Sequence, residues 1–304
     1  MGVLETVARV RHDLGPVGVW QALLTRANAQ QQRSFVRSVE VLGYGSVWAG
    51  EVVGGNDIFA QEAAWLCESS TITVGTGIAN VWARHPATAR AAASALGDAW
   101  PGRFIMGLGI SHAAIVDRTG QKYERPLDHM RQYLDGMEQA SAPAPAIPVP
   151  RVLAALRRRM LELARDRTDG AHTYFVTPEH TRRAREILGP DRLLIPEQAV
   201  VADANPVAAR MVARRHTGFY LGLPNYVNNL KELGFGDEDL QDGGSDRLVD
   251  AIVAWGDGDA IAGRVREHLD AGADHVLIQT LAPDLEGALS QLEDLVIPLL
   301  PQPA

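Results

Sequence analysis

The sequence predicts a (β/α)8 barrel with loop insertions, built by residues 1–304 as one domain. Three observations point there. Eight short apolar runs rich in β-branched residues recur along the chain, longer amphipathic segments separate most of them, and no break in composition divides the 304 residues. A doubly wound sheet would show the same alternation, but eight units in an unbroken series favour closure into a barrel.

The expected strands, in order, are Val17 to Trp20, Ser46 to Trp48, Thr71 to Ile78, Phe104 to Leu108, Val152 to Ala154, His172 to Val176, Leu194 to Val201 and His275 to Gln279. Between them, spacing near 3.6 predicts helices over Arg33 to Leu42, Ala60 to Ser69, Pro86 to Trp100, Arg125 to Gln139, Leu156 to Arg167, Pro178 to Leu188, Pro206 to Leu221, Asp246 to Trp255 and Ala260 to Ala271. Ser141 to Pro150 (SAPAPAIPVP) is too rich in proline to continue a helix and is expected to run extended over the surface. Pro224 to Ser245 has weak periodicity and reads either as a lid-like insertion or as short helices.

Composition narrows the function. A formal charge of −8 disfavours a nucleic-acid binder, which needs clustered cations for the phosphate backbone. No apolar stretch is long enough to predict a membrane span. The first fifteen residues carry charges of both signs without a continuous apolar segment, so a cytoplasmic location is expected. The single cysteine, Cys67, follows an apolar helical pattern and is expected to be a packed thiol rather than a nucleophile or metal ligand.

Common nucleotide motifs fail on inspection. Gly75-Thr76-Gly77 and Gly107-Leu108-Gly109 each give G-x-G after a strand, but Asn80 and His112 stand where the dinucleotide fingerprint needs its third glycine. The nine histidines show no metal-ligand spacing, so no metal is expected. What remains is a set of polar or permissive residues at predicted strand C-termini, the face on which barrel active sites assemble. Glu51 follows the second strand, Gly77, Ile78 and Asn80 end the third, and Gly107, Gly109, Ser111 and His112 end the fourth. Glycines there admit close backbone approach. A carboxylate, a hydroxyl and an imidazole beside them supply polar and acid–base chemistry.

The runs GTGIANVWARHPATAR (75–90) and PGRFIMGLGISHA (101–113) resemble the bacterial luciferase-like superfamily, and within it the oxidoreductases that use coenzyme F420. GAHTYFVTPEHTRRAREILGP (170–190), YLGLPNYVNNLKELGF (220–235) and DGGSDRLVDAIVAWGD (242–257) extend the resemblance to an actinobacterial branch of that group. The resemblance implies a luciferase-like barrel in which the flat ring of F420, or alternatively of FMN, lies against a bulge after the third strand. In that family the bulge contains a non-prolyl cis peptide, and the matching bond is Gly77–Ile78.

The resemblance also implies roles for individual residues. His112 matches the position of a proton-transfer group, its alternative being a surface or helix-capping histidine. Glu51 matches an acidic or polar position facing the ring and equally fits a solvated loop. Asn80 would bond the ring's carbonyl edge. Ser111, with Gly107 and Gly109, would contact phosphate or cap a helix. Trp48 and Trp82 would wall a substrate pocket or pack in the core, and Glu197 would line its substrate side. One departure stands out: Arg157, Arg158 and Arg159 occupy the place where relatives carry Gly-Pro-Lys. They would clamp the coenzyme's phosphate and glutamyl carboxylates, or form a solvated patch after loss of that loop. The expected activity is hydride transfer between F420 and a small organic substrate. The alternatives are an FMN-dependent monooxygenase with a partner reductase, and a barrel that binds ligand without turnover. Pairing of superfamily members through their second and third helices implies a homodimer.

Overall fold

A computed structural model describes residues 3–139 and 147–300. Ten parallel strands form in chain order: β1 (Val17–Trp20), β2 (Ser46–Ala49), β3 (Thr73–Thr76), β4 (Ala79–Asn80), β5 (Phe104–Gly109), β6 (Arg151–Ala154), β7 (Gly170–Thr173), β8 (Leu193–Val201), β9 (Val253–Trp255) and β10 (Val276–Thr280). Eight of them close a ring in the order β1-β2-β3-β5-β6-β7-β8-β10, with β10 pairing both β8 and β1. The expected (β/α)8 barrel is therefore present. The remaining two strands are appendages: β4 prolongs the third barrel strand beside β5, and β9 pairs with the end of β8.

Nearly every residue of the barrel strands is buried, because one side faces the barrel interior and the other faces a helix. Several helices begin on side chains that satisfy free amides. Asp57 accepts from Phe59 and Ala60 ahead of the helix Ile58–Glu68, and Thr177 and Asn205 cap Pro178–Leu188 and Pro206–Leu221. Inside the barrel Trp48, Ile105, Val152, Ile195 and Leu277 pack with Val7, Val10 and Leu14. Those last three come from the helix Val3–Leu14, whose Arg11 bonds the carbonyls of Pro190 and Arg192 and the carboxylate of Asp274. This helix stoppers the N-terminal end of the barrel.

A directional chain of buried polar groups sits above the stopper. His275 Nδ1 donates to the carbonyl of Gly15 (2.8 Å), so its Nε2 accepts from Ser46 Oγ (2.7 Å), which in turn accepts from Trp48 Nε1 (2.9 Å). Gly18 makes room for it, since a Cβ there would stand 2.2 Å from Ser46 Oγ.

The structure corrects several expectations. The helix expected over Asp246 to Trp255 ends at Ile252, and its last three residues form β9. The sixth barrel strand is Gly170–Thr173, starting two residues and ending three residues earlier than expected, and Phe175, at a positive φ of 59°, is outside the extended conformation that the expected strand would need there. Cys67 is exposed, not packed. Pro224 to Ser245 forms short helices, Pro224–Glu232 and the 3-10 turn Asp237–Asp239. Of the proline-rich stretch, residues 141–146 lie outside the described part. Among the described residues no helix is long and apolar enough to cross a membrane, and no group of three or more His, Cys, Asp or Glu could hold a metal ion.

Candidate active site

At the C-terminal mouth of the barrel a cavity of about 290 Å³ is bounded by the strand ends and by the helices of 206–232. Part of the lining is backbone and aliphatic: Gly50, Gly77, Ile78, Gly109, Ile110, Ala154 and Ala155. Another part is aromatic, with Trp20, Tyr174, Phe219, Tyr220 and Tyr226. His112 and Ser111 also line it. A lining so largely apolar suits a planar heteroaromatic ring.

The glycines that end β5 meet the chain's own neighbouring segments. A Cβ on Gly107 would lie 2.0 Å from the carbonyl oxygen of Thr76, and one on Gly109 would lie 2.3 Å from the side chain of Ile78. Their absence lets β5 close against β3 and against the Gly77–Ile78 segment. Thr76 Oγ1 seals this contact, donating to the Gly107 carbonyl (2.6 Å) and accepting from its amide (2.7 Å). The Gly77–Ile78 peptide is cis. Trp20 Nε1 donates to the Gly77 carbonyl (2.8 Å) and the Glu51 amide donates to the Ile78 carbonyl (3.0 Å). Ser111, with a φ of 58°, adopts a left-handed conformation that turns the chain out of β5 toward His112.

Glu51 borders the cavity, but its carboxylate is engaged on every side. Arg84 binds both oxygens, and the amides of Asn80 (2.8 Å) and Ile58 (3.3 Å) add two further bonds. Arg84 also reaches Asp57 (2.9 Å). Glu51 thus ties the loop after β2 to the start of the next helix, and its oxygens have no capacity left for a substrate proton.

Several expected site residues lie elsewhere. Trp48 is 0% exposed inside the barrel. Trp82 stacks on His129 with centroids 3.9 Å apart and props the Ile110 carbonyl from outside the cavity. Asn80 is buried, its amide on Glu51 and its Oδ1 accepting from Trp82. Glu197 does not reach the cavity wall: it lies behind the tyrosines, with Oε2 accepting from the Phe175 amide (3.2 Å) and Oε1 unpartnered. Burial raises its carboxyl to about 8.

Arg157 and Arg158 border a second, polar cavity that touches the first only at Leu156. Arg157 bonds Glu232 (2.7 Å) and Arg158 pairs with Glu162, while Arg182 and Arg183 across the groove both pair with Glu179. The arginines are neutralised by the chain's own carboxylates.

The tyrosines, Trp20 and Asn225 are site residues that the sequence reading missed. Tyr174 donates to Gln279 Oε1 (2.7 Å) and so accepts from Tyr220 (2.7 Å). His172, also on the wall, donates from Nδ1 to the Ile195 carbonyl (2.8 Å), and burial lowers it to about 4. His112 makes one polar contact, Nδ1 to Asn225 Oδ1 at 3.0 Å, and its imidazole is held below its ordinary pKa by burial, partly offset by that bond. Apart from the paired Glu51, no side chain that is charged at neutral pH lines the cavity among the described residues.

Comparison with known proteins places this geometry in context. The family model for luciferase-like monooxygenases matches residues 14–275. A protein of Mycobacterium tuberculosis named as a coenzyme F420-dependent oxidoreductase is 30% identical over 127 residues, 41% of this chain and 35% of the relative. The match thus spans about a third of that relative's length. Among solved structures, the coenzyme F420-dependent tetrahydromethanopterin reductase of Methanopyrus kandleri superposes with a TM-score of 0.76 at 18% identity, covering 93% of this chain and 99% of that one. The FMN complex of the oxygenating constituent of 3,6-diketocamphane monooxygenase from Pseudomonas putida gives 0.70 at 15% identity, covering 93% and 96%.

Proposed function

Because this chain belongs to the luciferase-like monooxygenase family, we propose that it is an oxidoreductase that binds coenzyme F420 at the barrel mouth and acts on a small, uncharged organic substrate. The observation that carries this reading is the cavity itself: its lining is mostly glycine, aliphatic and aromatic, and of its two imidazoles His172 is committed to the Ile195 carbonyl, which leaves His112 as the available one. The residues present fit a planar ring, which Gly77, Ile78 and Gly109 would support on one face. When bound, the coenzyme supplies two-electron chemistry as hydride exchange.

The chain's own part is proton handling and exclusion of charge. His112 is the proton-transfer group. Burial keeps it neutral near pH 7, so it takes a proton from a substrate hydroxyl or amine. Trp20, Tyr174 and Tyr226 enclose the reacting centre, and the lack of a free cation or anion on the wall disfavours phosphorylated or carboxylated substrates. The substrate itself is a small molecule; nucleic acid and membrane have no counterpart in this site. A homodimer remains part of the proposal through the family's pairing habit alone.

One observation favours a second reading. With Arg157 and Arg158 paired to Glu232 and Glu162, neither of these two is free for a glutamyl tail, which suits FMN and an oxygen-dependent monooxygenase. Fluorescence titration with F420 and with FMN separates the two, and oxygen consumption during turnover supports the FMN reading. Binding of neither would leave a barrel without redox function. Replacing His112 by Ala is expected to lower turnover by about 100-fold or more while weakening coenzyme binding far less. Equal losses would remove His112 from proton transfer.

A further inference from the structure

His112 has one ring nitrogen tied and one free. Its Nδ1 meets Oδ1 of Asn225 at 3.0 Å, and an amide oxygen can only accept, so Nδ1 carries the hydrogen and Nε2 keeps the lone pair. Two further features support this contact. His112 occupies the N-cap of the helix Ala113–Val116 with extended backbone, yet its side chain makes no capping bond and turns to Asn225 instead. Asn225 lies in the first turn of the helix Pro224–Glu232, and the next residue, Tyr226, packs against the imidazole with ring centroids 5.4 Å apart. One helix therefore holds the ring through a hydrogen bond and a tilted ring contact.

We propose that Asn225 is a positioning residue that locks His112 in the Nδ1–H form, so that the imidazole presents an accept-only Nε2 to the cavity. This rests on the reading of His112 as the proton-transfer group, and it assigns to the short helix after residue 223 the task of selecting the tautomer. An unrestrained imidazole in water favours the opposite, Nε2–H form. The other titratable groups on the cavity wall are Glu51, held by Arg84, and His172, Tyr174, Tyr220 and Tyr226. None of these makes a hydrogen bond to His112 among the described contacts.

The test is nitrogen NMR of the full chain labelled with 15N-histidine, recorded at pH 8, with the His112 signals identified by their loss in His112→Gln. The expected parent spectrum has a protonated Nδ1 and an unprotonated Nε2. Asn225→Ala should move His112 toward the Nε2–H form, and Asn225→Asp should keep the parent tautomer while raising the imidazole pKa by about one unit, since a carboxylate favours the charged ring. Asn225 is exposed, so both variants should melt with the parent. An Nε2–H form in the parent, or an Asn225→Ala spectrum identical to it, would overturn the proposal. Should the tautomer behave as expected while His112→Gln turns over normally, proton transfer by His112 falls and the positioning stands. The reverse pattern sinks the positioning alone.

Discussion

Replacing Glu197 by Gln should stabilise the protein at neutral pH, against the usual direction for a buried substitution. Glu197 is 1% exposed, accepts one hydrogen bond through Oε2 and leaves Oε1 unpartnered, and burial lifts its carboxyl from 4.5 to about 8. The folded protein therefore holds a proton near pH 7 that the unfolded chain has released. A group with a raised folded pKa contributes its full stability below the unfolded value and loses it as pH climbs toward the folded one. Each pH unit in that window is worth about 1.4 kcal/mol, so by pH 7 the ionisable side chain has forfeited about 3 kcal/mol relative to a neutral isostere. Glutamine keeps an oxygen for the Phe175 amide and, like the protonated acid, places a donor group where no acceptor waits, two N–H against one O–H. Urea unfolding of both proteins at pH 4.5, 6, 7 and 8 measures the difference. The gain should be absent at pH 4.5, grow with pH and reach about 3 kcal/mol at pH 7. A variant less stable than the parent at pH 7, or a gain that does not depend on pH, would refute the reasoning.

Two further outcomes follow from buried polar groups. Arg84→Met leaves the Glu51 carboxylate, itself nearly inaccessible, without its bidentate partner and should cost about 3 kcal/mol in chemical unfolding, whereas the double replacement with Glu51→Gln should recover part of the loss; a single variant as stable as the parent would show the pair to be dispensable. His275 is fully buried, and its imidazole is lowered to about 4, so it binds its proton less readily in the folded chain than in the unfolded one. Its contribution is complete above pH 6.5 and is lost as pH falls toward 4, by about 1.4 kcal/mol per unit. The stability slope over that range should be shallower by that amount in His275→Asn, and an unchanged slope would mean that His275 does not govern it.

The barrel was legible because its strands are short, apolar and separated by helical periods, and those signals are local. The side of each strand that faces the mouth was not. Trp20 ends β1 and Trp48 stands one residue before the end of β2; the two pair in register and share the barrel interior, yet Trp20 lines the cavity while Trp48 is fully enclosed. In strands buried on both faces there is no polar alternation to set the phase. Glu51 was visible as a carboxylate at a strand end, but its partner, Arg84, stands 33 residues on, and no local pattern announces that the charge is already matched. The same holds for Arg157 and Glu232. Gly77, Ile78, Gly109, Ser111 and His112 do share the mouth, as strand-end reasoning expected, whereas Tyr174, Tyr220 and the adjacent pair Asn225 and Tyr226 converge from three places in the chain and carry no motif. The helices Val3–Leu14 and Leu285–Leu299 went unread because neither lies between two strands of the described chain, so the strand–helix–strand alternation did not call for them.

The stopper formed by Val3–Leu14 has a consequence for traffic. With the far end corked and the interior filled with side chains, arrivals and departures share one doorway. Whichever guest settles deepest must come in first and go out last, so the protein imposes a queue on its ligands through architecture alone.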